Sequence, residues 1–394
     1  MRSVRLLVGV VLVAGVAPAT ASAAEIHVPA DASTLQVAIG RAQPGDRIVL
    51  AEGTYPGGNV VPKGKHDLTI VGEDRSEVVL DGGGLRKNGI VVHADGVAIL
   101  NMSAHGFLEN AFYWDDADRF RASYLTVWNV RGYGIYTEDS SRGVIDHDYV
   151  SGAADAAYYV GECNPCRATI HHVTAALSAV GYSGTNATSV VVRDSVWDRN
   201  GAGIVPNTYA NEALPPQARN TIVRNTITGS GRARVPVHTA LAPFIGIGVA
   251  IAGGNHNVVR GNRVTGSERY GIAVFPTARY VTFDPSVRRD PGPPWRPRGN
   301  RIAGNTVSGS GRSDLALSLG SGPGNCFVGN VAPKRLPPGL SGCAAPGDTS
   351  VAAALTAPLH VMFDAMIRRR RPPSYLSMPV PPAQPEMPAG GQRS

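Results

Sequence analysis

Between residues 90 and 317 the chain repeats itself, and a chain with this interval can bury its apolar side chains only by stacking one short unit on the next. Strand-like pieces recur as Gly89-Ile-Val-Val92, Ala111-Phe-Tyr-Trp114, Gly134-Ile-Tyr-Thr137, Ala156-Ala-Tyr-Tyr159, Gly203-Ile-Val205, Gly246-Ile-Gly-Val249 and Gly271-Ile-Ala-Val274, with a weaker copy at Val180. The step from Ile90 to Phe112, Ile135 and Ala157 is about 22–23 residues, a solenoid period. A second phrase follows the first, centred on Asn225, Asn262 and Asn305, and ends in a Gly/Ser turn.

The pieces are short, β-branched, alternating and separated by Gly, Asn and Ser, which excludes helical repeats. The leucine spacing of leucine-rich repeats is absent. A unit of this size with several short strands matches one rung of a parallel β-helix, whose neighbours stack into a continuous core. The chain resembles the right-handed parallel β-helix proteins of the pectin-lyase-like group. Residues 33–55 resemble that group's first segment: a capping helix, the turn Pro44-Gly-Asp46 and a first strand. The resemblance implies an all-β, single-stranded right-handed parallel β-helix solenoid over residues 24–345, capped by an N-terminal helix. It implies no single chemistry, because this fold hosts lyases, hydrolases, epimerases, adhesins and non-catalytic proteins.

Residues 1–23 read as a signal peptide: Arg2 and Arg5, an apolar stretch over 6–16 and a small-residue site at Ala21-Ser-Ala23. The apolar stretch is too short to span a membrane comfortably, so the expectation is a secreted protein without stable membrane insertion. The formal charge is +7, and four positives sit together in residues 368–371. That run reads as solvated, and no nucleic-acid motif accompanies it. Residues 346–371 predict a C-terminal capping helix, from Ala352, Leu355, Leu359, Met362, Phe363 and Met366 near helical spacing. Residues 372–394 are Pro-rich and predict an extended, disordered tail. A monomer is expected. For an exported chain, the four cysteines predict two disulfides, with Cys163–Cys166 and Cys326–Cys343 the favoured pairing. The alternative is a metal site formed by Cys163, Cys166, His171 and His172. Adjacent histidines on a strand point to opposite faces, which argues against it.

Alternation sorts each piece into inward and outward residues. With Ile90, Phe112, Ile135 and Ala157 inward, Val92, Trp114, Thr137 and Tyr159 are inward too. One outward column then reads Val91, Tyr113, Tyr136, Tyr158, and the next reads His93, Asp115, Glu138, Val160. Aromatic faces suit sugar rings, and neighbouring carboxylates divide into acid and base. This predicts Asp115, Glu138, His93 and Tyr136 as catalytic residues. Tyr113, Tyr158, Glu162 and Arg279 are predicted to hold substrate, with Arg279 neutralising an acidic sugar. The oxygens of Asp115 and Glu138 are also candidate Ca²⁺ ligands, with Ca²⁺ the candidate cofactor of this face. Long loops over residues 206–220, 232–244 and 276–300 interrupt the rungs, as functional loops on solenoids do. Asp148, His172, Asp194, Asn225, Asn262 and Asn305 read as one structural turn ladder. Asp146-His147-Asp148 resembles an alginate-epimerase cluster but lacks its intervening Pro, so that function is not carried over.

The leading expectation is therefore an exported carbohydrate-active protein whose partner is a polysaccharide, acidic sugars included, bound along the solenoid. As an enzyme it would be a polysaccharide lyase, epimerase or glycoside hydrolase. The alternative is a non-catalytic β-helix: a cell-wall or scaffold binding protein, or one resembling the copper-site maturation β-helices.

Overall fold

A computed structural model describes residues 23–238, 242–279, 292–343 and 372–388. The predicted signal peptide (but for Ala23) and the predicted C-terminal helix lie outside the described residues. Short parallel strands wind into a solenoid with three walls. One wall is an eleven-stranded sheet, and the other two are joined in a twenty-one-stranded sheet. The joint is visible at Ala98–His105 and Arg121–Trp128, each eight residues long, which turn the corner without breaking. Later rungs split there into two three-residue strands, as at Val144–Asp146 and Tyr149–Ser151. The split falls at a residue with positive φ, such as His147 (59°) and His172 (55°). A left-handed residue reverses the side-chain alternation and bends the chain by one wall.

The core runs the length of the axis as an inward column. Ile90, Phe112, Ile135, Tyr158, Tyr182, Ile204, Val249, Ile272 and Leu315 are partners rung by rung. All are buried. The expected N-terminal helix forms at Leu35–Arg41. The Thr34 side chain accepts from the Val37 amide and caps it, and Leu35, Ala38 and Ile39 close the first rung. Both favoured disulfides are present.

The turn ladder is real but its membership differs from the sequence reading. The backbone N–H of Asn225 donates to Asn262 Oδ1 at 2.9 Å, that of Asn262 to Asn305 Oδ1 at 2.9 Å, and that of Asn305 to Asn330 Oδ1 at 3.0 Å. Asp148 sits at the equivalent place and accepts from the Leu125 amide at 2.6 Å. His172 and Asp194 do not belong to it. They occupy the left-handed corner one residue earlier, where side chains point to solvent, and Asp194 pairs there with Arg224 at 2.7 Å. That corner also corrects the histidine geometry. His171 and His172 do not diverge; their Nδ1 atoms lie 2.8 Å apart because His172 has left the strand. A second ladder escaped the sequence reading. Asn220, Asn257, Asn300 and Asn325 chain their amides and side chains in the same way. Its signal was an Asn five residues before each Asn of the first ladder.

The Pro-rich segment departs from expectation as well. Residues 372–388 are not free. After a short 3-10 turn at Tyr375–Ser377 the segment lies against the twenty-one-stranded sheet, with Met378 and Met387 buried.

Candidate functional site

The outward face of the eleven-stranded sheet carries the predicted aromatic column, with one change of register. Tyr113, Tyr136 and Tyr159 are successive partners, and Ile135 pairs with Tyr158. Tyr158 therefore points inward, against the sequence reading. It packs edge-on to Trp197 at 5.9 Å, and its hydroxyl donates to the Thr174 carbonyl at 3.0 Å. The period from Ile135 is 23 residues here, as it is between Phe112 and Ile135, so the inward position falls on Tyr158 and not Ala157. The core gains an aromatic ring where the sequence reading gave it a methyl group. Tyr159 takes the outward place.

The rings form a continuous ladder. Tyr113 and Tyr136 lie 4.8 Å apart between centroids, and Tyr136 and Tyr159 4.6 Å. Tyr133, from the turn leading into the strand, stacks on Tyr136 at 4.4 Å. Offset aromatic contacts of this kind stabilise beyond their buried area. Tyr113 and Tyr136 are partly exposed, whereas Tyr159 is covered. Burial raises the hydroxyl pKa of both Tyr113 and Tyr136, with Glu138 adding to the shift, so both remain neutral donors. In later rungs the same face is closed. Val205, Ala250, Ala273 and Ala316 are buried in one apolar cluster with Tyr209 and Phe244 from the long loops. The open stretch is thus confined to the earlier rungs.

Of the long loops, residues 208–220 follow the strand Ala202–Asn207, residues 276–279 follow Tyr270–Phe275, and residues 242–246 lead into Ile247–Ala252. Arg279 lies in the second of these, where its guanidinium sits over the Trp295 ring at 5.1 Å and its carbonyl accepts from the Ala210 amide. Its charge is engaged with that ring, and among the described residues no contact joins it to the tyrosine ladder. Tyr280, Asp284, Arg288 and Arg289 lie outside the described residues.

Beside the tyrosines runs the acidic file. Asp115 pairs with Glu138 in register, and Gly161, not Val160, follows. Tyr113 donates its hydroxyl to Glu138 Oε2 at 2.7 Å. His93 Nδ1 lies 3.0 Å from Asp115 Oδ2. At the edge of the file, Asp116, Asp139 and Glu162 occupy left-handed corners on consecutive rungs. Burial, then Asp116, Asp115 and Glu138, raises the Asp139 carboxyl. Among the described residues no group of three or more His, Cys, Asp and Glu side chains is placed to hold a metal ion. Asp115 and Glu138 are each turned to a neighbour, His93 and the Tyr113 hydroxyl respectively. Cys163 and Cys166 are bonded to each other, which removes both as copper ligands.

Glu162 is the most perturbed carboxyl of the face. It is buried, Oε2 accepts from the Ala213 amide at 3.0 Å, and Oε1 lies 3.4 Å from the Tyr159 hydroxyl. Burial raises its pKa to about 7, opposed by the Ala213 bond and reinforced by Glu212 and Glu138. The folded chain therefore keeps this proton between the ordinary glutamate value of 4.5 and about 7, where the unfolded chain has lost it. Stability from this group falls as pH rises through that window. Glu162→Gln, which keeps the acceptor for Ala213 but cannot ionise, is expected to match the parent Tm at pH 4 and exceed it at pH 8. Equal Tm differences at both pH values would show that Glu162 ionises normally.

The family profile described as "Right handed beta helix region" matches residues 110–287. No curated protein sequence matches significantly. Among solved structures, the A-module of the mannuronan C-5 epimerase AlgE6 from Azotobacter vinelandii is 14% identical, with a TM-score of 0.51 over 78% of this chain and 96% of that one. An alginate lyase from Paenibacillus sp. str. FPU-7 is 16% identical, with a TM-score of 0.49 over 74% and 97%. A mannuronic acid specific family 6 polysaccharide lyase from human gut microbiota is 18% identical, with a TM-score of 0.49 over 78% and 80%. The chain folds as a right-handed parallel β-helix.

Proposed function

We propose that this β-helix is an exported polysaccharide-processing protein that holds a glycan along the open stretch of the eleven-stranded sheet and carries out acid–base chemistry on it. The observation that carries the reading is the Tyr113–Tyr136 ladder beside a hydrogen-bonded carboxylate, Glu138. The ring faces give sugar rings an apolar platform, and their neutral hydroxyls donate to sugar oxygens. The similarly folded AlgE6 module is named as a mannuronan epimerase, which makes polysaccharides the first substrates to try.

The roles follow from the environment of each group. Glu138, receiving the Tyr113 hydroxyl, is the base. Glu162, which holds its proton up to near neutrality, is the acid. Two carboxyls in different surroundings can divide a reaction between them. The His93–Asp115 pair orients an imidazole at the end of the file. Tyr136 and Tyr113 position the sugar, a place Tyr158 cannot take because it is in the core.

The test is a turnover screen on acidic and neutral polysaccharides, following new reducing ends and the ultraviolet absorbance of unsaturated uronates. Unsaturated products identify a lyase, and reducing ends alone a hydrolase. Isomerised product detected by NMR without cleavage identifies an epimerase. Binding without any product would leave a wall-binding protein. Tyr136→Ala is expected to weaken glycan binding about tenfold, on the order of 1.4 kcal/mol, by calorimetry. Unchanged affinity would remove the glycan from this face.

A further inference from the structure

The first rungs hold the C-terminal segment through contacts that read three consecutive residues. Arg75 is 1% exposed. Its Nε donates to Thr126 Oγ1 at 2.8 Å and its Nη2 to the Leu125 carbonyl at 2.6 Å. Its Nη1 donates to the carbonyl of Pro385 at 2.8 Å. The Arg75 backbone N–H donates to Glu386 Oε2 at 2.9 Å. The Met387 N–H donates to Asn101 Oδ1 at 3.0 Å, and Asn101 is held in turn by donating to the Gly72 carbonyl. The Met387 side chain is buried among Val49, Val71 and Leu100.

A backbone carbonyl, a carboxylate, a backbone amide and an apolar side chain are each matched by a separate group of the solenoid. Passive packing of a tail needs only the last of these. With the segment in place the guanidinium is buried and its Nη1 is satisfied by the Pro385 carbonyl, so removing that acceptor costs a buried hydrogen bond. Proline on either side of the Glu-Met pair lowers the ordering cost of the occupant. Upstream, Asn129 Nδ2 donates to the Met378 carbonyl at 3.2 Å, and Gly152 leaves room for Met378: a Cβ there would meet that side chain at 2.9 Å.

We propose that Val49, Val71, Arg75, Leu100 and Asn101 form a recognition site for a short Pro-Glu-Met peptide, filled in cis by residues 385–387 and able to take the same sequence in trans once that segment is released. The site lies on the twenty-one-stranded sheet, away from the tyrosine face, and stands whether or not that face processes a glycan.

The experiment uses the full chain with Glu386→Ala and Met387→Ala together, substitutions that leave every solenoid residue in place. Hydrogen exchange at the Arg75 amide is expected to speed up at least tenfold, with the Ile145 and Val150 amides unchanged. A fluorescent synthetic peptide of residues 379–388 is expected to bind this variant. It should bind the parent at least tenfold more weakly, because the cis segment competes at roughly millimolar effective concentration. The same peptide with Ala at its Glu and Met positions is expected to bind neither. Unchanged exchange at Arg75 overturns the proposal. So does a peptide that binds neither chain, binds both equally, or binds regardless of its Glu and Met.

Discussion

Glu138→Gln is expected to lower turnover by about 10²–10⁴-fold on the polysaccharide the protein processes, with affinity changed by less than about threefold. Gln keeps the size of Glu and an oxygen that can accept the Tyr113 hydroxyl, now 2.7 Å from Glu138 Oε2. What it loses is the ability to take a proton at neutral pH. A group that only bound substrate would raise KM and leave kcat intact, whereas a proton-transfer group lowers kcat itself. Tyr113→Phe separates the two effects. It removes the donor without removing the carboxylate, and should cost far less than the Gln substitution. Full activity in Glu138→Gln would move the chemistry off this face.

The second large effect is on stability. Asn262→Leu is expected to destabilise the chain by about 3 kcal/mol or more, and to lower Tm by roughly 5–10 °C. The Asn262 side chain serves two rungs. Its Oδ1 accepts from the backbone and side-chain N–H of Asn225, at 2.9 and 3.0 Å, and its Nδ2 donates to the Ile222 carbonyl at 2.9 Å. Leu fits the space but leaves those groups buried and unpaired. Because a solenoid rung contacts only its neighbours, the loss should appear first as faster amide exchange around Asn225, far from the capping helix. An unchanged melting curve would mean that the ladder contributes no more than solvation by water.

How much of this was legible follows from where each signal is stored. The repeat of Gly, a β-branched residue and an alternating partner is written within each rung, so the fold could be read directly. Both disulfides could be favoured because each pair of cysteines is close in sequence. The Asn ladder was visible as a repeated residue. The tyrosine column was correct for Tyr113 and Tyr136 and wrong for Tyr158, since a counting error of one residue moves a side chain to the other face of the sheet. Glu162 was named only as a substrate contact. Its altered acidity arises from burial, opposed by the Ala213 amide and reinforced by Glu212, both about fifty residues away in sequence. Arg279 was chosen for its charge, and the structure places that charge on Trp295.

The sequence by itself determined that the chain coils into parallel rungs, which end carries the helical cap, and that aromatic and acidic columns line one wall. Those properties depend on period, alternation and turn residues inside a single rung. Only the tertiary structure decided which tyrosine entered the core, that the loops close the later part of the face, and that a Pro-rich segment docks on Arg75 some three hundred residues earlier. These depend on inter-rung register and on contacts between distant segments, where the energy comes from shape and from completing buried hydrogen bonds, and no local pattern records either.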